Sequence, residues 1–438
     1  MEITNATDFL RKYEMDPDQI DMDQCCNIFL EEMELGLAGK DSSLEMIPTY
    51  METENEVPTE KKVIVMDAGG TNFRVAVIHF NSDKKAIIEN FEVFEMPGVE
   101  KEVSKKDFFD IMAGYVSDII DKSANIGFCF SYPAEILPNK DGKLIRFSKE
   151  IKAPQVQGQI IGQSLNQSLE SKGKEAKHVV ILNDTVTTLL AGRAMSFGKT
   201  YDSFIGFILG TGTNCAYIES NKNITKKPAL DPEKNQIINI ESGGFGKAPL
   251  GILDTQYDQT TNNPGIHNFE KMISGAYLGP LIFETIKQFA EDELLTEIAC
   301  ERIENIKELT TKDVNDFLCE PKKGTNILSK ILTERSDTQA YLDFGLLYDL
   351  VDKMVTRSAK LTAINLSSVV LKSGKGQNPD CPVCIVAEGT TFYKLKDFKS
   401  KVEKFLNEYL IKQKKRYYEI ICVENATLIG AAIAGLTN

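Results

Sequence analysis

VIVMDAGGTNFRVAVIHF, Val63 to Phe80, reads as strand, glycine turn, strand. Val63 to Met66 and Phe73 to Ile78 are β-branched or apolar runs, and the polar Asp67 to Asn72 between them has the composition of a tight turn. Gly69 and Gly70 permit backbone conformations closed to other residues and let N–H groups approach a ligand. Such a concave set of amides suits a phosphate. An ordinary glycine-rich hairpin would explain this stretch if it stood alone, but the pattern recurs. Phe204 to Leu209 is an apolar run, Gly210, Thr211, Gly212, Thr213 and Asn214 form a second turn, and Cys215 to Ile218 is apolar again. Neither turn leads into a helix, so neither is a Walker loop or a dinucleotide fingerprint, where the phosphate meets a helix N-terminus. Two such hairpins far apart predict two related domains facing each other across a nucleotide.

The 438 residues suffice for roughly two or three domains. Apolar content of 42% and charged content of 26% are those of an ordinary globular protein. No run reaches the length of a membrane span, and MEITNATDFLRKYEMDPD has neither a signal core nor a transit character, so a cytoplasmic protein is expected. With 50 basic and 64 acidic residues the net charge is −14, which argues against partners such as nucleic acid or a membrane surface. A phosphate site must therefore be made locally, from amides, a metal and a few cations. Nine scattered cysteines fit reduced thiols, and the Cys381/Cys384 pair, with no second pair or nearby histidine, reads as structural. His79, His178 and His267 each stand singly, which argues against histidine triads and zinc catalysis.

Along the chain, Cys26, Phe29, Leu30 and Met33 predict an N-terminal helix with Gly36 and Gly39 as stop signals. Strand alternation returns at Ala86 to Met96, and DFFDIMAGYVSDIID predicts an amphipathic helix with Phe108, Met112, Tyr115 and Ile119 on one face. Ile126 to Phe130 is a short buried strand ending in Ser131, Tyr132 and Pro133, where proline stops the strand and a functional loop begins. GKLIRFSKEIKA is hairpin-like and carries Ser148 and Lys149. HVVILNDTVTTLLAGRA reads as strand, turn, helix, with Asp184 or Thr185 able to cap the helix. A cap explains Asp184 in isolation; its place where a strand ends and a helix begins is also where α/β folds hold ligands. Glu241 follows an apolar alternation, and Glu270 opens a helix, where the macrodipole alone would account for it. A helical region runs from Leu278 to Ser368, and the small residues Gly430, Ala431, Ala432, Ala434 and Gly435 let a terminal helix approach another backbone closely.

These motifs, in this order and over nearly the whole chain, resemble those of the hexokinases, members of the actin-like ATPase superfamily. DAGGTNFRV is similar to the family's first phosphate loop, SYP and SKEIKAP to its sugar-contact loops, and LNDTVTTLLAG to the strand that delivers its catalytic aspartate. GTGTN is similar to the second phosphate loop, ESGGFG and FEKMISGAYLG to the stretches with the sugar-binding glutamates, RSDT to a nucleotide-side loop and AEGTTFYKL to the adenosine-site motif.

The resemblance implies an α/β fold of two ribonuclease-H-like (actin-like ATPase) domains facing across an interdomain cleft. Residues 1–61 would be a helical segment packing on the large domain, 62–195 with the helix 426–438 the small domain, and 196–425 the large one, with the boundary near Ser196 to Thr200. It also implies transfer of the γ-phosphoryl group of Mg-ATP to the 6-hydroxyl of a hexose such as glucose. Asp184 would be the general base, with Lys149 beside it, and Ser131, Ser148, Lys149, Asn183, Asn214, Glu241 and Glu270 would hold the sugar. Asp67 would place Mg2+ through water, while Gly69, Gly70, Thr71, Asn72 and Arg74, opposite Gly210, Thr211, Gly212 and Thr213, would grip the phosphates. Thr338, Gly389 and Thr390 would lie on the adenosine side. The sequence departs from the family where Glu388 replaces an aspartate, Ser242 a tryptophan and Ser148 a threonine.

The residue types suit that chemistry. A hexose is ringed by hydroxyls that both donate and accept, so a specific pocket needs short amides and carboxylates. Phosphoryl transfer needs an in-line alcohol, a bridging metal and donors around the phosphate oxygens. A non-catalytic hexose sensor on the same fold is the alternative, since fold does not fix function. A glycerol kinase or an actin-like filament protein leaves the polar sugar kit unexplained.

Overall fold

The computed structural model describes residues 5–53, 55–147, 151–195, 199–321, 324–332 and 338–438. In chain order its strands are β1 (Ile47–Pro48), β2 (Val63–Ala68), β3 (Asn72–Phe80), β4 (Ala86–Glu95), β5 (Asn125–Phe130), β6 (Ala134–Ile136) and β7 (Gly142–Leu144). Then follow β8 (His178–Leu182), β9 (Ser203–Leu209), β10 (Thr213–Ser220), β11 (Asn235–Asn239), β12 (Val383–Glu388) and β13 (Tyr418–Ile421).

One sheet has the order β4-β3-β2-β5-β8 and the other β1-β11-β10-β9-β12-β13, with β6 and β7 as a separate ribbon. In the first, β2 and β3 form the glycine hairpin, with Met66 opposite Val75, and β5 and β8 continue the sheet in parallel. In the second, β9 and β10 form the other glycine hairpin, with Cys215 opposite Phe207, and β12 and β13 again run parallel. Three antiparallel strands followed by two parallel ones thus occur twice, as β4-β3-β2-β5-β8 and as β11-β10-β9-β12-β13. The fold is α/β, with two ribonuclease-H-like lobes across a cleft. β2 is buried at every position, as an interior strand covered on both faces should be, whereas the edge strand β4 is largely exposed.

Three apolar cores hold these layers. Phe73, Phe108, Phe128 and Leu165 join the first sheet to the helices Lys105–Tyr115 and Ile161–Ser171. Phe29, Phe207, Phe269 and Leu350 join the second sheet to the N-terminal helix Met22–Leu37 and the long helix Thr338–Ser373. Between the sheets, Val65, Val186, Val386 and Ile429 pack around the helices Asp184–Ala194 and Ala426–Thr437. This inner layer is thin because its backbones nearly touch. A Cβ on Gly430 would stand 1.9 Å from the Thr187 carbonyl oxygen, and one on Gly127 would stand 1.8 Å from that of Ala431. The small residues of the terminal helix therefore do allow the close approach expected of them. Among the described residues no helix is long and apolar enough to cross a membrane.

Local readings differ in three places. Gly36 does not stop a helix: it lies inside Met22–Leu37, where a Cβ would meet the Leu44 carbonyl oxygen at 2.5 Å, and the stop is Gly39 at φ +68°. The helix opened by Lys105 ends at Tyr115, short of Ile119, because the Ser117 hydroxyl takes the Ala113 carbonyl while its N–H turns to Gly114. The cap before Val186 is neither Asp184 nor Thr185 but Asn183. Residues 196–198, within the expected domain boundary, lie outside the described residues.

Candidate active site

The β2–β3 turn brings Asp67, Gly69, Gly70, Thr71, Asn72 and Arg74 to one wall of the cleft. The β9–β10 turn brings Thr211, Gly212, Thr213 and Asn214 to the other, and Ser131, Asn183, Asp184, Glu241 and Glu270 line the same space of about 860 Å3. Residues from six separate stretches of chain thus converge where the parallel strands end, as the topology requires. Ser148 and Lys149 lie outside the described residues, and so do residues 333–337, just before Thr338, which opens the helix Thr338–Ser373.

The Asn183 side-chain oxygen accepts both the N–H of Thr185 (2.9 Å) and its hydroxyl (2.7 Å). Asp184 becomes the first helical residue, its Oδ1 accepting the same N–H at 2.9 Å. Its carboxylate therefore stands at the positive end of the helix dipole, facing the cleft.

Asn214 is the hub of the polar wall. Its amide group donates to Asn239 Oδ1 (2.7 Å), Glu241 Oε1 (3.2 Å) and Asn183 Oδ1 (3.4 Å), and its oxygen accepts the N–H of Cys215 (2.7 Å) and of Ser242 (3.2 Å). Asn239 donates to Glu241 Oε1 at 2.8 Å. Glu241 itself sits at φ +58°, a left-handed conformation that turns its carboxylate off the end of β11 towards the cleft. Burial and the charge of Glu45 push that carboxyl up to about 7. Glu270 closes the wall, accepting the Thr213 N–H at 2.9 Å.

The second glycine turn is held from behind. The Gly210 carbonyl accepts the Gly275 N–H and the Thr391 hydroxyl, both at 2.8 Å, and the Thr211 carbonyl accepts the Ala276 N–H at 3.1 Å. Gly389, at φ +116°, has room for no Cβ, which would lie 2.1 Å from the Leu209 carbonyl oxygen. Gly389 and Thr390 consequently sit against Gly210.

Carboxylates crowd the floor. Asp67, 4% exposed, is held by Arg74 (3.3 Å) and the Thr427 hydroxyl (3.1 Å), yet burial pushes its carboxyl above the ordinary value. Glu388 is pushed up to about 7 by burial and by the charge of Asp184. Such a cluster calls for a cation. Among the described residues no group of three or more His, Cys, Asp or Glu side chains could cage an ion; a single buried carboxylate such as Asp67 suits a hard cation that keeps most of its waters.

Asn239, Arg146, His267 and Thr427 were not expected at the site. Asn239 had a signal, since in the sequence it lies two residues before Glu241 at the end of an apolar alternation. Arg146 and His267 had none, because they meet only through tertiary structure.

Two hexokinase family models match the chain, one over residues 5–194 and the other over residues 204–437. Hexokinase-9 of Oryza sativa subsp. japonica is 27% identical over 433 residues, covering 94% of this chain and 85% of the relative. A glucokinase of Aspergillus niger is 27% identical over 404 residues, covering 80% of each. A solved hexokinase from Schistosoma mansoni, complexed with glucose, matches with a TM-score of 0.78 at 22% identity, over 99% of this chain and 100% of that one.

Proposed function

The chain belongs to the hexokinase family, and from that premise we propose that it is an active kinase, moving the γ-phosphoryl group of Mg-ATP to the 6-hydroxyl of a hexose such as glucose. The observation that carries this reading is the convergence of Asp184, the Asn214–Asn239–Glu241 network and both glycine turns on one cleft. A sugar hydroxyl is far too weak an acid to ionise near neutrality. Asp184 therefore acts by accepting the proton as the bond to phosphorus forms. Asn183, Asn214, Glu241, Glu270 and Ser131, with Ser148 and Lys149, bind the sugar hydroxyls and leave unpaired groups facing a sugar of the wrong stereochemistry. Gly69, Gly70, Thr71 and Asn72 from one lobe and Gly210, Thr211, Gly212 and Thr213 from the other donate to the phosphates, with Gly389, Thr390 and Thr338 towards the adenosine. Asp67 would hold Mg2+ through its water shell and Arg74 would pair with the phosphates, while the metal would supply charge that neutralises the phosphate oxygens. Closure of the lobes on sugar excludes water as a competing acceptor.

The second reading is a hexose sensor that leaves ATP intact. It is favoured by one observation, the departures at Glu388 and Ser242. Ser242 is fully buried and its hydroxyl faces Asn365 at 3.3 Å, where the family's tryptophan would be. The experiment is ADP release from Mg-ATP with and without glucose, for the wild type and Asp184→Asn. Sugar-dependent release, cut at least ~100-fold in the variant, supports the kinase. Glucose binding by calorimetry without ADP release supports the sensor.

A further inference from the structure

The peptide between Gly69 and Gly70 is flanked by two residues without side chains, so it is among the easiest in the chain to turn over. Its orientation decides what the first phosphate loop offers to the cleft. In a trans peptide the C=O and N–H point in opposite directions, and the described residues have no cis peptide. If the Gly69 carbonyl faced the cleft it would repel a phosphate; with the carbonyl turned inward, the Gly70 N–H faces outward as a donor.

The structure shows the second arrangement and what holds it. The Tyr132 hydroxyl donates to the Gly69 carbonyl oxygen at 2.5 Å. Tyr132 is 2% exposed, and its ring packs against Phe130 and Phe147, each at 5.0 Å between centroids, so the hydroxyl has a fixed address. Gly69 and Gly70 line the cleft and Tyr132 does not, which places the carbonyl on the protein side. Among the described residues the Gly70 N–H has no acceptor. Burial and the nearby charge of Asp67 push the phenol well above its ordinary value, so it stays a donor.

We infer that Tyr132 is a positioning residue: by fixing the Gly69 carbonyl it aims the Gly70 N–H at a phosphate oxygen of the nucleotide. Because Tyr132 lies between Ser131 and Pro133, both of which line the cleft, it also ties the sugar-contact loop to the phosphate loop. A phenylalanine there would fill the same space and leave the peptide free to turn.

This rests on the kinase reading, and Tyr132→Phe tests it separately. Calorimetry with Mg2+ and a non-hydrolysable ATP analogue should show about tenfold weaker binding in the variant, the scale of one lost oriented hydrogen bond. Adenosine, which has no phosphate, and glucose should bind as in the wild type, and in turnover the KM for ATP should rise while the KM for glucose stays. In wild-type protein with nitrogen-15 glycine, the Gly70 amide signal should shift with the analogue and not with adenosine, a measurement that does not depend on the variant folding. Unchanged analogue binding in Tyr132→Phe, equal losses for all three ligands, or a silent Gly70 amide would overturn the inference. Failure of the kinase reading shows in the wild type itself, as ADP release that ignores sugar; a wild type that binds no analogue overturns both.

Discussion

Arg146 and His267 meet across the mouth of the cleft, guanidinium Nη2 to imidazole Nε2 at 3.2 Å, with Glu45 at 3.4 Å from the same nitrogen. Arg146 follows β7 beside the first sheet, while His267 immediately precedes the helix Asn268–Ile273 and Glu45 precedes β1 of the second. A guanidinium only donates, so the imidazole accepts at Nε2 and is neutral. Burial, and then Arg146, hold its pKa below the ordinary 6.5.

The pH dependence follows from that sign. The depressed value means the contact contributes fully above about pH 6.5 and is lost as pH falls through the lower folded value, where two cations would face each other. His267→Gln keeps an acceptor that does not titrate. The thermal midpoint of the wild type should therefore fall further between pH 7 and pH 5.5 than that of the variant, by scanning calorimetry in matched buffers. Parallel profiles would show that His267 stays neutral for another reason.

Glu241 titrates in the opposite sense. Its carboxyl is raised from 4.5 to about 7, so the unliganded fold holds a proton that the unfolded chain releases and loses stability as pH rises through that window. Sugar hydroxyls donating to the carboxylate favour its charged form. Glucose binding near pH 7 should release a fraction of a proton, measured by calorimetry in buffers of different ionisation enthalpy, and affinity should rise from pH 6 to 8. Glu241→Gln should abolish the release.

Asn239→Ala removes the amide that orients both Asn214 and Glu241. The buried partners left unpaired cost about 1–3 kcal/mol, so glucose affinity should fall ~10- to ~100-fold, with kcat much less affected because Asp184 is untouched. A fall in kcat at unchanged affinity would place Asn239 on the phosphate side.

Gly127→Ala forces a methyl group to within 1.8 Å of the Ala431 carbonyl oxygen. Backbone cannot yield as a flexible side chain does, and the expected loss is about 3 kcal/mol. Urea denaturation should show the lower midpoint, with glucose raising it in both proteins.

Much of this architecture is legible in the letters. The hairpins β2–β3 and β9–β10 are visible because apolar alternation and glycine turns are local properties, and so is the small-residue helix that presses on Thr187. Gly36 misleads because its real constraint, the Leu44 carbonyl, comes from chain folding back on the helix. Asn183 takes the cap from Asp184 by a difference of one residue, a matter of helix phase that composition does not encode. Arg146 and His267 are 121 residues apart, and no spacing rule links them.

The helix Ala426–Thr437 lies on β5 of the first sheet and against Thr187, although some 230 residues, among them strands β9 to β13 of the second sheet, intervene between Ala194 and Ala426. During synthesis, the ribosome must deliver every strand of the second sheet before the first sheet can have its inner face covered. Until then the apolar side chains of Val65, Val180 and Leu182 on that face are open to chaperones and proteases. A nascent chain arrested before Ala426 should be degraded rapidly and turn over no sugar, however completely its glycine loops have been made.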